Sequence, residues 1–150
     1  MSGSPVIQQL RRLRSHSAPW LALVLGLGAV VAFGDADPPI TLSGRIIGAS
    51  GRFPVCVSLW NMDGFLETPA EEFCLAVGAD LRYRFLIPPG RWAISAFEDQ
   101  KGNGILDIGS FGPKEPIGFW RHFSGHHKPR FDEVADWINH DFNDANVVLK

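Results

Sequence analysis

The sequence predicts an all-β domain, a single seven-stranded antiparallel β-sandwich that follows an N-terminal export signal. Three observations carry this. Beyond residue 39 the chain is a series of short stretches rich in β-branched and aromatic residues, separated by Gly, Pro and Asp. Several of these stretches alternate, as half-buried strands do. No segment after residue 34 sustains a 3.6-residue apolar period, so no long helix is expected.

The first element is the export signal. Arg11, Arg12 and Arg14 form a basic region ahead of "APWLALVLGLGAVVAF". That run suits a secretory apolar core and is short for a membrane span of about 20 residues. Small residues in "AFGDAD" suit cleavage near residue 34; the alternative is an uncleaved anchor, the one membrane contact this reading allows. The arginine pair lacks the rest of a twin-arginine signal, so ordinary secretion to the periplasm or beyond is expected. Removing residues 1–34 takes three of the 14 basic side chains and none of the 16 acidic ones, leaving a net charge of −5. An acidic remainder argues against nucleic acid as a partner. About 115 residues make one ordinary domain, here residues 40–150.

The strands follow as "ITLSGRIIGA" (40–49), "FPVCVSLWN" (53–61), "EEFCLAV" (71–77), "LRYRFLIP" (81–88), "RWAISAFED" (91–99), "EVADWIN" (133–139) and "ANVVLK" (145–150). Val55, Val57 and Leu59 point one way, and Cys56, Ser58 and Trp60 the other. Phe73, Leu75 and Val77 alternate against Glu72, Cys74 and Ala76 in the next strand. A hairpin centred near Phe65 sets Cys56 opposite Cys74 on one face, within reach of a disulfide. Two cysteines in an exported chain suit that bond; two buried free thiols are the alternative. "IPPGRW" is turn chemistry between two strands.

"FEDQKGNGILDIG" (97–109) reads as a degenerate calcium loop. Asp99, Asn103, the Ile105 carbonyl and Asp107 are the candidate metal ligands, with Glu98 or water in support. Gly102 and Gly104 supply unusual dihedrals, and Ile105 or Leu106 anchors the loop to the core. Lys101 stands where an oxygen ligand belongs, so the expected ion is absent or weakly held calcium, at about millimolar affinity. The alternative is a metal-free turn in which the aspartates accept backbone N–H bonds and Lys101 pairs with one of them.

The 108–131 connection is long for a compact domain. It carries Phe111, Phe119, Trp120, Phe123 and Phe131, with Lys114, Arg121, Lys128 and Arg130 against Glu115 alone. On an acidic domain this is a basic, aromatic island. Trp120 as platform, with Arg121, Lys114, Lys128 and Arg130, suits an anionic or carbohydrate component of the cell envelope. Phe111 and Phe119 are expected to plug one end of the sandwich. His122, His126 and His127 lie on a loop interrupted by Gly and Pro that fixes no common face for zinc.

These residues resemble an exported bacterial family, domain of unknown function 2141. Pro89-Gly90 followed by Trp92-Ala93-Ile94 is similar to the family's Pro/Gly turn and Tyr-Ala-Ile strand. Asp99, Asn103, Gly104, Leu106 and Asp107 match its Asp/Asn-rich loop. Gly112, Pro113, Glu115, Gly118 and Phe119 approximate the segment after it, and Pro129, Phe131 and Ala135 echo a later strand. The departures are Lys101 for Asn, Pro116-Ile117 for Gly-Tyr, and Trp120 for a small residue. The resemblance spans roughly residues 42–150. It implies a transthyretin-like or prealbumin-like sandwich and brings no known activity. Transthyretin-like folds also host a hydrolase of hydroxyisourate, but its C-terminal signature is absent from "ANVVLK".

No nucleophile elbow, HExxH or phosphate loop is present. The reading is therefore an exported module without its own catalysis and without a cofactor, binding or accessory to the envelope, with residues 98–131 as its working surface. Two alternatives remain open: a metal-dependent hydrolase using Asp99, Asp107 and the loop histidines, and a purely structural module.

Overall fold

The computed structural model describes residues 37–150. The expected export signal, and the anchor that is its alternative, lie outside the described residues. Those described are nearly all β: β1 (Ile40–Ile47), β2 (Val55–Trp60), β3 (Glu71–Leu75), β4 (Arg82–Ile87), β5 (Gly90–Glu98), β6 (Ile108–Gly109), β7 (Gly112–Pro113), β8 (Ile117–Phe119), β9 (Ala135–Ile138) and β10 (Val147–Val148). One single-turn helix, α1 (Phe131–Val134), precedes β9.

Each of the seven expected stretches holds a strand, shortened at one or both ends, with β5 starting one residue earlier than expected, at Gly90. The count of seven is corrected to ten among the described residues, because the long connection folds back on itself as β6, β7 and β8. The strands form a three-stranded sheet in the order β10-β1-β4, a five-stranded sheet in the order β3-β2-β5-β8 with β9 also on β5, and the two-stranded ribbon β6-β7.

Pairing is antiparallel except between β1 and β10, which run parallel through Ile46↔Val147 and Ile47↔Val148. That departs from the all-antiparallel expectation. The C-terminal segment is too irregular for a full ladder, so short polar side chains complete it. Asp141 accepts the Thr41 N–H at 2.8 Å, Asn146 accepts the Arg45 N–H at 2.9 Å, and Asn143 accepts the Ser43 hydroxyl at 3.0 Å. The Tyr83 hydroxyl, buried from β4, donates to the Ala145 carbonyl, and burial pushes its pKa well above the ordinary tyrosine value.

Beyond β10 the chain meets the other sheet. Ile117 and Lys150 exchange two backbone hydrogen bonds, each 3.3 Å. Gly118 sits where a β-carbon would overlap the Val148 carbonyl, so only glycine permits this crossing.

Alternation decides what each face buries. Leu42 and Ile46 of β1, Tyr83, Phe85 and Ile87 of β4, Val55, Val57 and Leu59 of β2, and Ile94 and Ala96 of β5 form one core shared by the two larger sheets. The opposite face of β2 and β5 is covered as well. Trp60, Ala93, Phe131, Val134 and Ala135 form a smaller cluster there, with Phe65, Leu66, Phe119 and Phe123 against it. β2 is consequently buried along its whole length. The hairpin register is Cys56↔Cys74, as the alternation requires, and the two sulfurs lie at disulfide distance.

Candidate functional site

Three buried carboxylates at the end of β5 organise the loops around it. Glu98 accepts the Ser50 N–H at 2.8 Å and the Ser50 hydroxyl at 2.6 Å, fixing the β1–β2 turn. Asp99 accepts the N–H groups of Asn103 at 3.1 Å and Gly104 at 2.7 Å. Glu115, only 5% exposed, reaches back from the segment before β8. Its Oε1 accepts the Gln100 and Lys101 N–H groups at 2.8 and 3.3 Å, and its Oε2 accepts the Asp107 N–H at 3.0 Å. One side chain thus ties both ends of the 99–107 loop together.

Gly102 and Gly104 take φ of 68° and 70°, the left-handed region this turn requires. The Asn103 side chain accepts the Ile105 N–H at 3.1 Å. The Lys101 ammonium lies 2.8 Å from Asp107 Oδ2. That oxygen is hidden from solvent, and the ammonium is its compensating charge. Asp107 at that distance holds the Lys101 pKa above the ordinary lysine value. Of the candidate calcium ligands, the Asp99 and Asn103 side chains are engaged by backbone N–H groups of the loop, and Asp107 is engaged by the Lys101 charge alone. Ile105, offered as an anchor, instead stands 68% exposed; Leu106 is the half-buried one.

The strut formed by Glu115 carries the β6–β7 ribbon outward. Phe111 at the ribbon turn is fully exposed, which corrects its expected role as a plug: a two-stranded ribbon has no second layer to cover its tip. Phe119 does enter the smaller cluster. Ile108 is 64% exposed. Ile105, Ile108 and Phe111 form one wall of a cleft of about 1190 Å³, whose other wall is residues 122–129. Its floor is the outer face of the five-stranded sheet. There Glu72, Ser58, Ser95 and Phe119 form one cross-strand row. Ser58 donates to Glu72 at 2.5 Å, and the Trp60 indole N–H donates to Ser95 at 2.8 Å.

Of the five residues expected to bind a partner, Lys128 alone lines this cleft. Trp120 is half-buried, packed on Phe142 with ring centroids 5.2 Å apart. Arg121 pairs with Asp136 at 3.0 Å, and Arg130 with Glu133 at 3.6 Å. Lys114 is exposed beside the ribbon, its side chain against Gly109. His122, His126 and His127 do line the cleft. His127 lies 3.2 Å from Glu133, whose carboxyl is held below its ordinary pKa first by the Arg130 N–H and then by His127. His122 faces the Lys150 ammonium at 3.3 Å. Among the described residues, no three His, Cys, Asp or Glu side chains converge as a metal-ligand set.

Sequence reasoning took residues 98–131 as the working surface but missed the Glu115 strut and the apolar wall of the cleft. The signal for the strut was present, since Glu115 is one of the residues matching the family-like segment. No signal marked that wall, because apolar residues on a ribbon read as core.

No curated protein and no solved structure matches the chain. The family model described as an uncharacterized protein conserved in bacteria (DUF2141) matches residues 50–144, and the chain belongs to that family.

Proposed function

We propose that this chain is an exported β-module that binds an apolar ligand without catalysing its conversion, in the cleft between the β6–β7 ribbon, residues 122–129 and the five-stranded sheet. The observation that carries this is the wall of Ile105, Ile108 and Phe111, three large apolar side chains left open to solvent on one side of a single cleft. Exposed apolar surface gathered in this way marks an interaction site. The shared core of the two larger sheets supports a transthyretin-like sandwich as the scaffold. The disulfide-distance pair Cys56 and Cys74 supports an oxidising compartment, hence the periplasm or the exterior. Glu115 and the 99–107 loop then serve as the mount of the ribbon.

The test uses Nile red, a neutral dye that fluoresces in apolar sites. The full chain should bind it saturably, and Ile108→Ser with Phe111→Ser should weaken binding at least tenfold without changing the melting temperature. Equal binding by wild type and variant would refute the cleft as the site.

The loop holds calcium weakly or not at all, because Lys101 takes the place of an oxygen ligand. Lys101→Asp should create calcium-dependent stabilisation while the wild type barely responds. For a site of about 10 μM, about 1 mM calcium adds about 2.7 kcal/mol. Melting temperatures in chelator and in calcium measure this; a large shift in the wild type, or none in either protein, contradicts it.

A further inference from the structure

We infer that the occupant of the cleft is a single-chain amphiphile with an anionic head, oriented across the five-stranded sheet; this rests on the reading of the cleft as a binding site. Shape is the first argument. The cleft, about 1190 Å³, exceeds the roughly 300–1,000 Å³ of sites for compact ligands, so it has room for an extended one. The row Glu72–Ser58–Ser95–Phe119 crosses four strands. At about 4.8 Å per strand spacing that row is about 14 Å long, room for an extended acyl chain.

Charge is the second argument, and it is polarised along the cleft. Glu67 and Glu72 lie at the β3 end. Lys128 and Lys150 belong to the opposite wall and to the segment beside β8. Among the described residues neither lysine has a carboxylate side chain within 4 Å, whereas Arg121 and Arg130 nearby are both paired. Glu72 is already engaged by the Ser58 hydroxyl. An anionic head is repelled at one end and meets at the other two ammonium groups that no carboxylate side chain neutralises, the Lys150 one also facing His122. Between them Ile105, Ile108 and Phe111 of one wall and Phe123 of the other give the lining an apolar stretch that suits an alkyl chain.

Competition against bound Nile red on the full chain tests this, with oleate, oleoyl lysophosphatidate and oleyl alcohol as probes below their aggregation limits. At least one anion should displace the dye at least tenfold more tightly than the alcohol. The stronger of the two anions identifies a carboxylate or a phosphate head. Lys128→Glu with Lys150→Glu should erase the preference while leaving displacement by the alcohol within twofold. If the dye binds but the alcohol competes as well as both anions, or the lysine variant keeps the preference, the anionic head is refuted and the cleft stands. If the dye does not bind the cleft, the binding reading fails and takes this inference with it.

Discussion

Glu115→Ala should lower stability by about 3–5 kcal/mol, the largest loss expected from any single exchange in the loop region. The carboxylate accepts three backbone N–H groups, from Gln100, Lys101 and Asp107, at 3.3 Å or less. Hydrogen bonds to a charged acceptor contribute about 1.5–3 kcal/mol each. Gln100 and Lys101 lie at the surface, where water replaces part of the loss, so the total falls short of three full bonds. For a domain of this size that is about 10–20 °C in melting temperature. Glu115→Gln keeps the shape but turns an NH₂ group toward a backbone donor, so it should recover only part of the loss. Limited proteolysis should then cut first within residues 100–113, because both ends of the loop are released. A loss below about 1 kcal/mol for Glu115→Ala would show that the loop holds itself by Asp99 alone.

Removal of the Cys56–Cys74 bond should cost about 3 kcal/mol, the chain-entropy value for a closed loop of this length. The sequence separation is 18, and the pair joins β2 to the edge strand β3. Cys56→Ala with Cys74→Ala is the suitable variant, since Cys56 is fully buried and serine would bury a hydroxyl. The variant should melt at the temperature of the reduced wild type and be indifferent to reductant. Thiol titration of the unfolded, unreduced protein should find no free thiol. Two free thiols, or a variant as stable as the oxidised wild type, would remove the bond from the account.

The Cys pair was legible in the sequence because two alternating strands around a turn near Phe65 admit one register that buries both apolar sets. Its confirmation as Cys56↔Cys74 is a case where local pattern and tertiary structure agree. The parallel placement of β10 was not legible. It depends on Asp141, Asn143 and Asn146 reaching β1 a hundred residues away, and nothing local distinguishes those residues from ordinary turn formers. The loop glycines announced their φ values, but the residue that holds the loop lies outside the calcium-like motif, across the ribbon. Phe111 was misread because hydrophobicity predicts burial only where a second layer is available. Trp120 was assigned to the surface, and the structure packs it on Phe142, a residue whose proximity comes from the C-terminal return along β1.

The central claim is that the exposed apolar wall of the ribbon forms a ligand site with residues 122–129. Photolabelling tests it most directly. A neutral alkyl diazirine, equilibrated with the full chain and then irradiated, should label peptides covering residues 104–113 and 122–129, and excess Nile red should suppress both labels. Labelling centred instead on other exposed apolar residues, such as Leu86 or Trp137, with the two cleft segments unmodified, would contradict it.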